Sequence, residues 1–328
     1  MHSYYIQQIL YLPIFINHAF MKTNLYWNVY KSLERELLMI ADIIHIDDSQ
    51  LNMYSMKIAD LLIRTCVEIE SISKELYFME GGTKPDDNNL FFDTDCLALL
   101  ESKWHLSKKV VMISNSNLYL TEENNIYLTP LHKSFKRGSS SSDWQKAYQA
   151  IKHNRVKSLS KGNLKHLIRS MGALYLLNIY YRNPVIKLDN DCSAISFEAN
   201  VGSSIFSIEF LPFEGFTKDG NYFKPDDYDK YTFLILPTEE SKDKFLQISN
   251  KIQDEILNVA LKLTEDTLVK EADAVVMLPH KELEARILAT YESKKQELYT
   301  KLPPKDRKIY LDAHKSIKYE LVLNTNQF

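Results

Sequence analysis

Glycine is scarce in this chain of 328 residues, with eight in all, and none is spaced to form a phosphate-cradling loop. That excludes the glycine-rich nucleotide motifs that seat a pyrophosphate on backbone N–H groups. Cysteine is scarcer still. Cys66, Cys96 and Cys192 are far apart and in no CxxC pair, so a disulfide frame and a zinc knuckle are both excluded, and three core thiols in a reducing compartment are expected. Long hydrophobic runs are missing as well: no segment is apolar for the roughly 20 residues that a bilayer-crossing helix needs. Residues 1–20 are apolar, but they lack a Lys/Arg-rich start and a small-residue cleavage site, and Pro13 interrupts them, so they do not read as a secretory signal. Met21, followed by Lys22, Thr23 and Asn24, looks like a more natural start. The first twenty residues are therefore expected to be a non-core extension from an upstream start codon. A cytoplasmic protein without a membrane partner is the expectation.

What is present is a core. Hydrophobic residues make up 45% of the chain and tyrosine alone contributes 20, and the length suffices for roughly two domains on the usual scale. Leu33, Leu37, Ile40, Ala41 and Ile44 recur three and four apart, which predicts one face of an amphipathic helix. Asp47, Asp48 and Ser49 offer cap oxygens for a second helix running to about Phe78, with Leu51, Tyr54, Ile58, Leu61, Leu62, Ile69, Ile72 and Leu76 on its inner side. The two should pair antiparallel. Gly81, Gly82 and Pro85 end the second, and the acids Asp86, Asp87, Asp93 and Asp95 that follow read as a hydrated loop and not as a metal site.

From Lys108 to Pro130 short β-branched and aromatic runs alternate with Asn, Ser and Glu, the chemistry of strands and turns. Gly138 and the serines 139–142 then suggest a mobile linker. Ser142 or Asp143 is placed to cap a helix from Trp144, and Asn163 to cap one from Leu164 to Tyr181 that is apolar nearly all round, as a central helix would be. Ala194–Phe197, Ser204–Leu211 and Tyr231–Leu236 read as strands. Helices are expected over 239–270, 281–301 and 304–322, the last opened by Pro303 and Pro304.

Charge is distributed unevenly. The chain is formally −3 with a pI of 6.3, yet residues 132–169 hold ten Lys or Arg against one acid, Asp143. The rest of the molecule must then be strongly acidic. A field divided in this way attracts polyanions, of which nucleic acid is the commonest. Lys133, Lys136, Arg137, Lys146, Lys157 and Lys161 are the candidate nucleic-acid contacts. Three histidines, His132, His153 and His166, fall in the same interval without metal-ligand spacing, and no cofactor is expected.

The helix pair of residues 25–78, the segment Tyr148-Gln149-Ala150-Ile151-Lys152-His153 and the apolar helix after it resemble the HEPN superfamily, helical ribonucleases and nucleotide-binding proteins of toxin and phage-defence systems. Its hallmark is an arginine, a polar residue and a histidine a few positions on; Gln149 and His153 match, and Tyr148 stands at the arginine position. The resemblance covers residues 25–182. It implies metal-independent RNA cleavage with the ribose 2′-OH as nucleophile, His153 as acid or base, Lys152 and Arg155 on phosphate oxygens, Gln149 as an orienting group, and two sites facing each other in a homodimer. Against this, Trp144, Tyr148 and Ile151, spaced four and three apart, also fit the core face of a helix whose terminal Lys and His complement its dipole.

The fold expected is α+β: a HEPN-like helical bundle over 21–182 with antiparallel strands inserted at 108–130, then strands and C-terminal helices over 183–328. The function expected is binding of RNA or nucleotide with weak or absent ribonuclease activity, the alternative being a non-enzymatic scaffold that docks an acidic protein.

Overall fold

The computed structural model describes residues 25–216, 221–271, 279–301 and 303–327; the expected extension over 1–20 lies outside them. Helix α1 (25–41) buries Tyr30, Leu33, Leu37 and Ile40 at helical spacing. Helix α2 (Met56–Met79) buries Ile58, Leu61, Leu62, Thr65, Ile69, Ile72 and Leu76 along one stripe. Tyr26 meets Ser71, whereas Glu36 meets Lys57 and Arg64, so the two run antiparallel. The hydroxyls that face the core cost little, because Thr65 and Ser73 donate to the carbonyls of Leu61 and Ile69 one turn earlier.

The start of α2 differs from the expectation. Ser55 is the cap, accepting from the Ile58 N–H, and Leu51 and Tyr54 precede the helix. Asp47 instead caps a single 3-10 turn, Asp48–Gln50. Asp48 takes N–H and O–H donors from Thr121 and an amide donor from Asn125. Partners seventy residues away outcompeted the local cap, and they hold strand β1 (Ile46–Asp47) parallel to β3 (Leu118–Tyr119).

After α2, Gly81 adopts φ +84°, a left-handed stop that a side chain would strain. The acidic loop is not simply hydrated. Asp93 is buried and receives both arms of the Arg137 guanidinium at 2.7 and 3.0 Å, and Asp95 accepts from Lys84. Helix α3 (Ala98–Trp104) follows, then β2 (Val111–Ile113), the short α4 (Glu123–Ile126) and β4 (Tyr127–Leu128). The serine run is not a loose linker either: Gly138–Ser140 is a 3-10 turn, Ser141 donates to the Gly138 carbonyl, and Ser142 is buried.

Helices α5 (Asp143–His153), α6 (Arg155–Ser158) and α7 (Leu164–Arg182) come next. Fifteen of the nineteen residues of α7 are buried, which makes it the centre of the bundle with α2 alongside. Asn163 caps it through the His166 N–H. Each fully buried Leu or Ile contributes roughly 1.5–3 kcal/mol, so this helix dominates the core. Gly162 sits so close to α2 that an added Cβ would lie 2.6 Å from the Ala59 Cβ, and glycine is what lets the turn before α7 reach that helix.

The two blocks of strands join across the bundle. β2 lies between β4 and β6 (Phe206–Ile208), antiparallel to both. A second sheet has the order β5 (Ile186–Asp189), β9 (Tyr319–Leu323), β8 (Phe233–Pro237), β7 (Phe210–Leu211). One core runs from Tyr30 to Leu323, across the 182/183 boundary. The fold is α+β, with antiparallel pairing everywhere except β1–β3 and β7–β8.

Three readings of the C-terminal half are corrected. Ala194–Phe197 forms turns, 204–211 breaks into two strands, and the expected helix over 304–322 stops at Lys315, where Tyr319, Leu321 and Leu323 alternate into the core as β9. Helices α8 (Glu239–Lys270), α9 (His280–Thr300) and α10 (Pro304–Lys315) therefore form an arm inserted between two strands that pair directly. Cys192 is exposed, not a core thiol, while Cys66 and Cys96 are buried.

Candidate nucleic-acid interface

The first turn of α5 is fastened to the loop before it. Ser142 caps the helix through the Gln145 N–H, and the Gln145 side chain reaches back to the Ser142 N–H, the reciprocal pair of a capping box. The Gln145 amide also donates to the Ser134 carbonyl, and the Trp144 indole donates to the Pro130 carbonyl, both at 2.8 Å. These bonds fix residues 130–134 beside the helix start. Within that loop Lys133 adopts φ +61°, a left-handed conformation that costs a lysine about 1–2 kcal/mol.

A cleft of about 580 Å³ opens there. It is lined by Lys133 and His132, by Ser139–Asp143 and Lys146 at the N-terminal end of α5, by Lys165 and Arg169 on the solvent side of α7, and by Glu122, Asn124 and Tyr127. Four of the ten cations of the basic stretch thus converge. Lys146 is 3.0 Å from Asp143 in an exposed pair, a contact of small net worth. Among the described residues, the side chains of Lys133, Lys165 and Arg169 have no hydrogen bond or ion pair. Arg169 is half-buried, and burial, partly offset by Asp143, lowers its pKa. A desolvated guanidinium without an acceptor is unfavourable until an anion reaches it.

The nominated residues separate into groups. Lys133 and Lys146 line the cleft. Arg137 is committed to Asp93 and lies over the Phe91 ring at 3.7 Å, and Lys136 lies over Phe135 at 5.4 Å. Lys157 and Lys161 are exposed beyond the end of α5. Gln149 is half-buried and His153 is exposed; they share with Lys146 the outer stripe of α5. Lys152 lies over the Tyr148 ring at 5.2 Å, and Arg155 pairs with Asp60 of α2 at 2.8 Å, so the two cations nominated to flank His153 have other partners. Trp144, Tyr148 and Ile151 are core residues, each at most 2% exposed. The hallmark arginine position is thus held by a buried tyrosine, a side chain without positive charge at any pH, whose phenol pKa is raised by burial and then by the Glu70 carboxylate.

Lys165, Arg169, His132 and Tyr127 were not nominated, although their spacing contained a signal. Lys165 and Arg169 are four apart on a helix otherwise apolar all round, so they mark the one strip of α7 that reaches solvent. His166, next to them, donates from Nδ1 to the Lys161 carbonyl at 2.7 Å and is kept neutral chiefly by burial. No group of three His, Cys, Asp or Glu able to hold a metal ion occurs among the described residues, and none of their helices is long and apolar enough to cross a membrane.

Comparison of the chain with protein-family models, with curated proteins and with solved structures gives no match in any of the three.

Proposed function

We propose that this protein binds RNA through the cleft between the Thr129–Lys133 loop, the start of α5 and the outer strip of α7, and that its ribonuclease activity at His153 is weak or absent. One observation carries the reading: Lys133, Lys165 and Arg169 line a common cleft and, among the described residues, their side chains have no hydrogen bond or ion pair. Two other cations of the same stretch are neutralised, Arg137 by Asp93 and Arg155 by Asp60. The HEPN likeness belongs to this proposal and rests on the helices of 25–182 with Gln149 and His153.

Single-stranded RNA held by three or four such cations should lose affinity as salt rises, with a log–log slope of about −2 to −3. Fluorescence anisotropy between 50 and 300 mM salt measures it. A slope near zero removes phosphate contacts as the basis of binding.

His153 has no side-chain hydrogen bond or ion pair among the described residues, so nothing holds its ring in one orientation. General acid–base catalysis by a positioned group contributes about 10²–10⁴-fold, and that contribution is not expected here. Cleavage of single-stranded RNA in EDTA by wild type and by His153→Ala should be equally slow. A hundredfold loss in the variant would restore the catalytic assignment.

A further inference from the structure

We infer that the cleft recognises the phosphorylated end of an RNA strand, a phosphate monoester, in preference to the diesters along the strand. This rests on the RNA-binding reading above and specifies which part of the RNA occupies the site.

Size is the first ground. A cleft of 580 Å³ is in the range of sites for single small ligands; it suits one or two nucleotides at the end of a strand and is far too small to enclose a duplex. Charge is the second. Lys133, Lys165 and Arg169 have no hydrogen bond or ion pair among the described residues, although Asp143 attracts Arg169 from farther off, and Lys146 is only loosely engaged by Asp143; against these four cations the cleft lining holds two acids, Glu122 and Asp143. An internal diester brings one negative charge and two free oxygens. A monoester brings a charge of about −1.5 to −2 at neutral pH and three acceptor oxygens, a closer match to three waiting donors, one of them a guanidinium able to grip two oxygens at once. Tyr127, 46% exposed in the cleft lining, gives the terminal base a ring to stack on.

The test uses one single-stranded RNA decamer in three forms, with a 5′-phosphate, with a 3′-phosphate, and with hydroxyls at both ends, titrated against the full chain. One phosphorylated form is expected to bind at least about tenfold more tightly than the hydroxyl form, and which one it is identifies the end. That advantage should vanish in Lys133→Asn and in Arg169→Gln. Asparagine tolerates the left-handed backbone at 133, so the first variant removes charge and leaves the loop in place; equal unfolding midpoints for variant and wild type verify this. Inorganic phosphate should compete with the phosphorylated form. Equal affinity for all three forms overturns the inference and leaves RNA binding intact. An advantage that survives both substitutions overturns the assignment to this cleft, and failure of every form to bind overturns both readings.

Discussion

Lys109→Met is expected to stabilise the protein at pH 7.5 by about 4 kcal/mol relative to wild type, with the gain falling by about 1.4 kcal/mol for each pH unit up to pH ~10. Lys109 is 0% exposed, and its Nζ has no hydrogen-bond partner among the described residues. Burial pushes its pKa down to about 7, with Asp229 and Glu101 acting upward and Lys108 and Lys224 downward. Above pH ~10 the amine is neutral whether the chain is folded or not. Between about pH 7 and that pH the unfolded chain binds a proton that the native state refuses, so wild-type stability rises with pH across this window. Below it both states are charged and the loss is complete. Methionine has nearly the same length and no proton to bind. Cys66 and Cys96 also titrate in alkali, both raised chiefly by burial, but they do so equally in both proteins, so the informative quantity is the difference between them. Denaturant unfolding at several pH values between 7 and 9.5 measures it. A constant difference would mean that Lys109 keeps its charge in the folded state.

Glu34→Ala is expected to cost about 3 kcal/mol, with Glu34→Gln losing less because it keeps one acceptor oxygen. Glu34 is 0% exposed on α1. It accepts from the Tyr30 hydroxyl and the Ser204 N–H at 2.8 Å each, from the Ser203 hydroxyl, and from Lys31. These donors come from both α1 and the loop that leads into β6, so one carboxylate ties the first helix to the sheet. Removing it leaves donors facing a dry gap. Burial acts to raise its pKa, but the bonds from Lys31, Ser203, Ser204 and Tyr30 outweigh it and the carboxyl is held below its ordinary value. The stabilisation is therefore present above pH ~4.3, where an unfolded glutamate is ionised, and is lost as pH falls through the folded value. Urea unfolding at pH 7 and pH 4 reads both effects; a variant as stable as wild type at pH 7 would show that water replaces the carboxylate without loss.

The parts of this fold that were legible in the sequence are those decided by neighbours along the chain. The amphipathic stripe of α2, the apolar α7 and the caps Ser142 and Asn163 all follow from spacing within a few residues. Glu34 is buried only because of the Ser203 loop, 169 residues on, which nothing near it in the chain announces. The same holds for Asp48, Arg137 and Arg155, whose partners are Thr121, Asp93 and Asp60. Local rules offered the first a helix cap and the other two a phosphate. The β9 strand was read as helix because Pro303 and Pro304 start one, and the change to an alternating pattern at Tyr319 is only five residues long.

The basic stretch was legible as charge and not as shape. Its cations are close in sequence, but only Lys133, Lys146, Lys165 and Arg169 line the cleft, together with Glu122, Asn124 and Tyr127 from outside the stretch. No count over one interval can show which lysines will be left without an acid. Sites that bind polyanions depend on that remainder, since a neutralised cation adds little to a field.

The central claim is that the unpartnered cations mark where RNA is held. Ultraviolet crosslinking of single-stranded RNA to the full chain, followed by identification of the attached peptides, tests it most directly. Attachment should concentrate on the peptides that contain Tyr127, His132 and Trp144. Attachment confined to the 152–161 segment or to the arm of residues 239–315, or no attachment at all, would contradict it.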